Sequence, residues 1–325
     1  MLCRLPVGLI LIQQFKMKKI AVICNSDNLA IPAINYLFTN GYLAGVGVLG
    51  KYRNFLLPKL NGIGIAESLV DSFDKENWIQ AKTDWLKRIE ADTVWVFGFP
   101  WKIPATLLAI PEKGFFNFHF GLFPMYRGAD PIFWQIKNKE EKAGFVIHKM
   151  TGEVDAGPVV WEEYLPIVPG ENYGLYSQRA GMVAASVLDS FLQQTESGLP
   201  ERNEGKGDSP YFKRPDVTQR TISWQTQSAE EIEWLVNACN PKYGGASTRL
   251  RGTEIALLEV APADVGDSPA VEPGTVIYSD ALYGIIVACR DQQYLRINVL
   301  SMNEGYISGS KLFSLGVKAG EKFHD

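Results

Sequence analysis

Histidine and cysteine are scarce in this chain of 325 residues, which holds three of the first and four of the second. The cysteines, Cys3, Cys24, Cys239 and Cys289, are scattered without C-x-x-C spacing. That argues against a zinc site and a disulfide frame, and fits buried thiols in a reducing cytoplasm. No apolar run approaches the ~18 residues that a membrane-spanning helix needs. The turn after the first expected strand, Asn25-Ser26-Asp27-Asn28, lacks the G-x-G-x-x-G that brings backbone amides against pyrophosphate. A nicotinamide or flavin dinucleotide therefore has no cradle there. The chain also lacks a Walker-type phosphate loop, so nucleotide hydrolysis of that kind is excluded.

What is present is an ordinary globular composition, 46% hydrophobic and 21% charged, with a net charge of −4. The length corresponds to about two domains at roughly 150 residues each. Charge is uneven: residues 1–195 carry 19 Lys/Arg against 18 Asp/Glu, and residues 196–325 carry 13 against 18, a net −5. A second part of that sign does not hold nucleic acid by bulk charge. Residues 1–16 set Arg4 before the short apolar stretch Leu5–Ile12 with no small-residue cleavage site after it. They read as a non-native extension ahead of a start near Met17.

Hydrophobic periodicity predicts an α/β domain over 17–195. Lys18–Cys24, an apolar run led by two lysines, is suited to a buried parallel strand, and Leu43–Leu49 and Thr93–Phe97 are expected as the second and third strands. Asp27 or Asn28 is the expected cap of a helix carrying Ile31, Ile34, Leu37 and Phe38. Trp78, Ala81, Trp85 and Ile89 share one face of another, and Tyr176, Ala180, Val183, Val187 and Phe191 form a further stripe. Residues 196–220 are rich in Gly, Pro and charge with little periodicity, and are expected as a linker. In 221–325, Ser228 and Glu231 form a capping box ahead of Ile232, Leu235, Val236 and Cys239. Short β-rich runs follow, Glu254–Val260, Gly274–Tyr278, Ile285–Cys289 and Tyr294–Leu300, which fit a small OB-like barrel. The expected fold is a Rossmann-like open twisted sheet with a smaller C-terminal β-barrel.

The densest cluster of unusual residues is Gly114–Gly128. If Phe115–His119 is extended, Asn117 and His119 point to one face about 7 Å apart, with phenylalanines turned to the core between them. In an open α/β sheet such a strand end lines the ligand crevice. His148 lies on an alternating strand and reads as structural, and His324 as solvated. The loop Thr151–Pro158 offers Glu153 and Asp155.

These residues resemble a known family. Asn117-x-His119, the turn Leu122-Phe123-Pro124-Met125-Tyr126-Arg127-Gly128-Ala129, the run Gly144–Met150 and Asp155-Ala156-Gly157-Pro158-Val159-Val160 are similar to the 10-formyltetrahydrofolate-dependent formyltransferases. Ser223-Trp224, Asn240-Pro241 and Pro273-Gly274 resemble landmarks of the C-terminal domain of methionyl-tRNA formyltransferases and some sugar formyltransferases. The resemblance implies a catalytic trio of Asn117, His119 and Asp155, with no metal, and 10-formyltetrahydrofolate as formyl donor. It also implies a folate-binding loop of Phe97, Gly98, Phe99, Trp101 and Ile103. Tyr126, Arg127 and Gly128 are the expected substrate contacts, with Arg127 either holding an anionic group or bracing the turn. Gly121 and Phe123 depart from the family pattern, which has serine and leucine there, and the missing hydroxyl is expected to loosen the turn. The acceptor is a primary amine, and the candidates are an amino-sugar nucleotide and initiator methionyl-tRNA. The stretch Gly50–Leu60 is short and carries three cations, and Gly305–Leu312 looks like the sugar enzymes; both favour the small amine. Hydrolysis of the donor and a non-catalytic binding module are the other readings on this scaffold. The expected location is the cytoplasm, and the oligomeric state is left open.

Overall fold

The structure, a computed structural model, describes residues 18–203, 209–266 and 270–325. The expected extension 1–16 lies outside the described residues. The first sheet runs in the order β3-β2-β1-β4-β5-β7-β8. Its parallel strands are β1 (Ile20–Cys24), β2 (Leu43–Leu49), β3 (Val70–Phe73), β4 (Thr93–Phe97) and β5 (Phe115–His119). A short β6 (Arg127–Gly128) lies outside this sheet. β7 (Gly144–Lys149) and β8 (Val159–Tyr164) extend the sheet antiparallel. Thr93–Phe97 is thus the fourth strand, not the third. β3 escaped the hydrophobic pattern because it is an edge strand, with Asp71 and Ser72 between Val70 and Phe73.

The pleat divides each strand between two cores. Ile20, Val22 and Cys24 of β1, with Trp95 and Phe97 of β4 and Phe116 and Phe118 of β5, face one side. There they meet α1 (Asp27–Thr39), which follows β1, and α6 (Tyr173–Ser186) and α7 (Leu188–Ser197), which follow β8. Ala21, Ile23, Val94, Val96 and Phe115 face the other side, against α3 (Trp78–Ile89) and the short α4 (Ala105–Leu108). Fully burying each large side chain contributes roughly 1.5–3 kcal/mol, and Phe97 stacks on Phe118 at 4.3 Å between ring centroids.

Local details differ from the pattern-based expectation. Ser26, not Asp27 or Asn28, stands at the cap of α1. Gly50–Gly62 forms a helix, α2, whose weak amphipathicity and internal Pro58 hid it. The long stripe after Gly170 breaks at Val187 into α6 and α7. The expected linker contributes structure of its own in β9 (Tyr211–Phe212) and α8 (Val217–Arg220). β9 pairs parallel with β6, and Phe212 stacks between Tyr126 and Trp134. Two-residue strands and four-residue helices are too short to leave a period in the sequence.

The second sheet follows α9 (Ala229–Cys239), whose Ser228–Glu231 capping box is formed. Strands β10 (Ala246–Leu250), β11 (Thr253–Ala263), β12 (Val276–Asp280), β13 (Gly284–Ala288) and β14 (Tyr294–Met302) are joined by β15 (Gly305–Ser308), which leads into α10 (Gly309–Ser314), and by β16 (Phe323–His324). The order is β12-β13-β14-β11-β10-β16. The two ends of that order meet, because Val276 N–H donates to Glu321 O and Phe323 N–H to Gly274 O, each at 2.8 Å. The sheet therefore curls into a barrel-like form whose two ends are bridged at Thr275 and Lys322. The helix α5 (Pro131–Lys137) packs on α9, so Phe133 and Ile136 join Ile232 and Val236 in one continuous core.

Candidate active site

In the order 3-2-1-4-5 the connections reverse direction between β1 and β4, where open sheets form their ligand crevice. A cleft of about 830 Å³ opens there. Its walls are the turn after β1, the loop after β4, the end of β5, the loop before β8, the start of α6 and the entry to the barrel at Pro241–Tyr243.

β5 delivers Asn117 and His119 to this cleft, with Phe116 and Phe118 turned into the core, as the alternation requires. Across the ladder, Asn117 is the partner of His148 on β7. His148 Nδ1 lies 3.0 Å from the Lys149 carbonyl, which only accepts, so that nitrogen carries the proton. Nε2 is then a bare acceptor, 3.0 Å from the Asn117 amide nitrogen. The contact uses one Asn117 N–H and leaves the other available to the cleft. Burial, with His119 beside it, pushes the His148 imidazole well below its ordinary value and holds it neutral.

His119 is fixed in a complementary way. Its Nε2 donates to the Tyr126 carbonyl at 2.6 Å, leaving Nδ1 as the nitrogen with a free lone pair. Nδ1 faces Asp155 Oδ1 at 3.9 Å, and His148 Nε2 is 3.7 Å from the same oxygen. Asp155 has a left-handed backbone, φ 48°, and its Oδ2 accepts the Gly128 N–H at 2.9 Å. The three predicted catalytic residues are therefore brought together, and His148, set aside as structural from sequence, stands among them. Its pairing with Asn117 exists only once β5 and β7 are laid side by side.

The loop after β4 places Phe97, Gly98, Phe99, Trp101 and Ile103 on the cleft wall. Gly98 has φ 75°, and a Cβ there would come within 2.6 Å of Asn25 Oδ1, so glycine suits the turn on two counts. Behind Phe99 lies Lys82 of α3, fully buried. Its Nζ is 3.3 Å from the Phe99 ring centroid, with Trp78 and Phe73 at 5.2 and 5.3 Å. Burial lowers its pKa well below the lysine range.

The expected substrate contacts divide. Gly128 lines the cleft, while Tyr126 and Arg127 do not. Tyr126 is buried, with its ring on Phe212 and its hydroxyl donating to Glu140 at 2.8 Å. The buried Arg127 guanidinium lies over Phe123 at 5.1 Å, the geometry of a turn brace. The tyrosine's contribution to the site is its main-chain oxygen. Gly121, expected to leave the turn loose, instead lets it close tightly, since a Cβ there would meet Pro131 Cβ at 2.5 Å and Tyr126 Cβ at 2.8 Å. Among the described residues no group of His, Cys, Asp and Glu is arranged to hold a metal, and no helix is long and apolar enough to cross a membrane.

Comparison with known proteins gives this geometry a lineage. Residues 61–191 match the family model for Formyl transferase, and residues 216–315 that for Formyl transferase, C-terminal domain. The methionyl-tRNA formyltransferase of Aromatoleum aromaticum is 30% identical over 227 residues, which cover 68% of each chain. Among solved structures, HypX from Aquifex aeolicus in complex with tetrahydrofolic acid superposes with a TM-score of 0.66 at 16% identity. The match covers 93% of this chain and 48% of HypX, so the chain spans about half the length of that protein. WlaRD, a sugar 3N-formyl transferase in the presence of dTDP and 5-N-formyl-THF, superposes with a TM-score of 0.62 at 14% identity, over 86% of this chain and 97% of that one. With both parts of the sequence matched and Asn117, His119 and Asp155 gathered at one strand end, the chain belongs to the formyl transferase family.

Proposed function

We propose that this chain transfers a formyl group from 10-formyltetrahydrofolate to a primary amine, at the site formed by Asn117, His119 and Asp155. The observation that carries the reading is the hydrogen-bond pattern at the end of β5, which leaves a donor and a proton acceptor facing the same cleft. The free Asn117 N–H is placed to stabilise the oxyanion that develops as an amine adds to a formyl carbon. His119 Nε2–H is committed to Tyr126, so His119 Nδ1 is the group that takes the proton from the attacking amine. Asp155, with its other oxygen held by Gly128, stabilises the imidazolium so formed. As the tetrahedral adduct collapses, the bond from the formyl carbon to N10 of the donor breaks and the His119 imidazolium returns its proton to that nitrogen, releasing tetrahydrofolate. Phe97, Gly98, Phe99, Trp101 and Ile103 suit a flat ring, with aromatic walls and a glycine turn that brings main chain close.

For the acceptor we propose a small amine, best an amino-sugar nucleotide. α2 follows directly on β2, and two of its three cations are engaged, Arg53 with Glu67 and Lys59 with Asp27. Residues 196–325 add a net −5. The WlaRD likeness supports the same class. The methionyl-tRNA formyltransferase relatives favour initiator methionyl-tRNA as the second reading. Tetrahydrofolate release, followed spectroscopically with a dTDP-linked amino sugar, with initiator methionyl-tRNA and with no acceptor, separates the two from hydrolysis of the donor. Asn117→Ala, His119→Ala and Asp155→Ala should each lose most turnover while staying folded. Near-normal rates in all three would discard the assignment.

A further inference from the structure

One short strap, Tyr126–Asp130, touches both ends of the catalytic pair. Its Tyr126 carbonyl fixes the His119 ring and its Gly128 N–H fixes Asp155. Ala129 N–H donates to Phe212 O at 2.7 Å, which ties the strap to β9. The strap ends at Asp130, whose backbone is left-handed, φ 59°, and whose side chain is 3% exposed. A carboxylate buried to this degree is costly unless it is fully hydrogen-bonded. Asp130 accepts from three donors: Tyr173 Oη at 2.9 Å, Lys242 Nζ at 2.8 Å and the Tyr243 hydroxyl. Lys242 also donates to Tyr173 Oη at 2.6 Å.

Two of those donors come from the barrel side of the chain, immediately after Asn240-Pro241. That entry segment is itself docked on the catalytic sheet's helices: Gly174 N–H donates to Asn240 O, and Tyr243 packs edge-on against Phe133 at 5.6 Å. The strap is therefore clamped at one end by the second part of the chain, while its other end holds the two residues that handle the proton.

We propose that Asp130, Tyr173, Lys242 and Tyr243 are positioning residues for formyl transfer, through which the barrel side of the chain sets the orientation of His119 and Asp155. The proposal rests on the reading of Asn117, His119 and Asp155 as the transfer centre. Its prediction about His119, however, can be measured without turnover. The energetic logic is that catalysis depends steeply on placement, with a displacement on the order of 1 Å costing about 100-fold. A strap released at Asp130 keeps its pairing with β9 but loses its anchor on the barrel side, and with it the placement of the Tyr126 carbonyl and the Gly128 N–H.

The test uses the full chain labelled with ¹⁵N-histidine, whose three histidines give few enough signals to assign with His119→Asn and His148→Gln. In the wild type His119 should show the Nε2–H tautomer. Asp130→Asn and Lys242→Met should move the His119 ring nitrogens toward tautomer-averaged shifts and leave His324 unchanged. Lys242→Arg should restore most of the wild-type signal. With 10-formyltetrahydrofolate and a dTDP-linked amino sugar, kcat should fall about 10–100-fold in the first two variants, with KM for the donor within about twofold. Unaltered His119 signals in folded variants would overturn the clamp, as would a rise confined to KM for the acceptor, which would make Lys242 a substrate ligand. Activity lost only in proportion to a fall in unfolding midpoint would also overturn it. A wild type that releases no tetrahydrofolate with any amine would sink the transfer reading instead, and the nitrogen shifts would still decide the clamp.

Discussion

His148 makes the stability of this protein depend on pH in a calculable way. It is 2% exposed, and its pKa is lowered from 6.5 to about 4, first by burial and then by His119. Above pH 6.5 the ring is neutral in both the folded and unfolded chain and contributes no pH dependence. As pH falls below 6.5 the unfolded chain binds a proton that the folded chain refuses, so stability declines until the folded ring also protonates near pH 4. A difference of about 2.5 units at 1.36 kcal/mol per unit gives a loss of roughly 3 kcal/mol, of which roughly 2 is spent by pH 5.

The comparison that isolates this is wild type against His148→Gln, which keeps polar atoms at the position and removes the titration. Urea unfolding followed by tryptophan fluorescence at pH 7, 6, 5 and 4.5 gives the difference between the two proteins at each pH. Carboxylates elsewhere titrate in both and cancel. The wild-type curve should fall away from the variant's by roughly 2 kcal/mol between pH 7 and pH 5. Parallel curves over that interval would refute the claim that His148 is held neutral. They would also undo the hydrogen-bond assignment that makes its Nε2 an acceptor for Asn117.

Gly121→Ser should destabilise this chain by about 1–3 kcal/mol, because the added Cβ overpacks Pro131 and Tyr126; an unchanged urea midpoint would show that the turn has room. Lys82→Met should raise the unfolding midpoint at pH 7, on the order of 1–3 kcal/mol, since it removes a buried amine with no hydrogen-bond partner among the described residues. Wild-type stability relative to Lys82→Met should also rise with pH toward the unfolded lysine pKa, about 10.4, because burial makes the folded chain hold the Lys82 proton less tightly than the unfolded chain does; a flat difference would contradict this. Cys24, Cys239 and Cys289 are buried, with thiols pushed up to about 12, so a Cys3→Ser chain should show no fast-reacting thiol toward a disulfide reagent at pH 8 until urea is added. Rapid reaction of one thiol per chain in the native state would reveal an opening that the packing does not allow.

The readable features of this sequence are those that a single element expresses. β1, β2 and β4 are continuous apolar runs because both their faces are covered, and the Asn117–His119 spacing marks the exposed end of β5 because a strand's period is two. The capping box at Ser228 was legible for the same reason, since its two partners are three residues apart. β3 was not, because an edge strand tolerates Asp71 and Ser72, and neither was α2, whose Pro58 and mixed faces mimic a loop. The bridge between the two ends of the second sheet depends on Phe323 reaching Gly274, and no local pattern reports a contact of that span.

The site divides along the same line. Residue identity pointed to Asn117, His119 and Asp155, but the roles we propose for them depend on main-chain atoms that sequence does not advertise. Tyr126 is expected as a substrate contact from the family resemblance, yet its side chain lies outside the cleft and its carbonyl is what fixes the His119 ring. Gly128 serves through its N–H, at a φ of 104° that places the Phe212 main chain where a Cβ would stand. A carbonyl and an amide are present at every residue, so only a fixed strap turns two of them into determinants of chemistry. It follows that substitutions at the anchors of the strap, far in sequence from the trio, should alter turnover more than side-chain changes at Met125, which is exposed within the same turn.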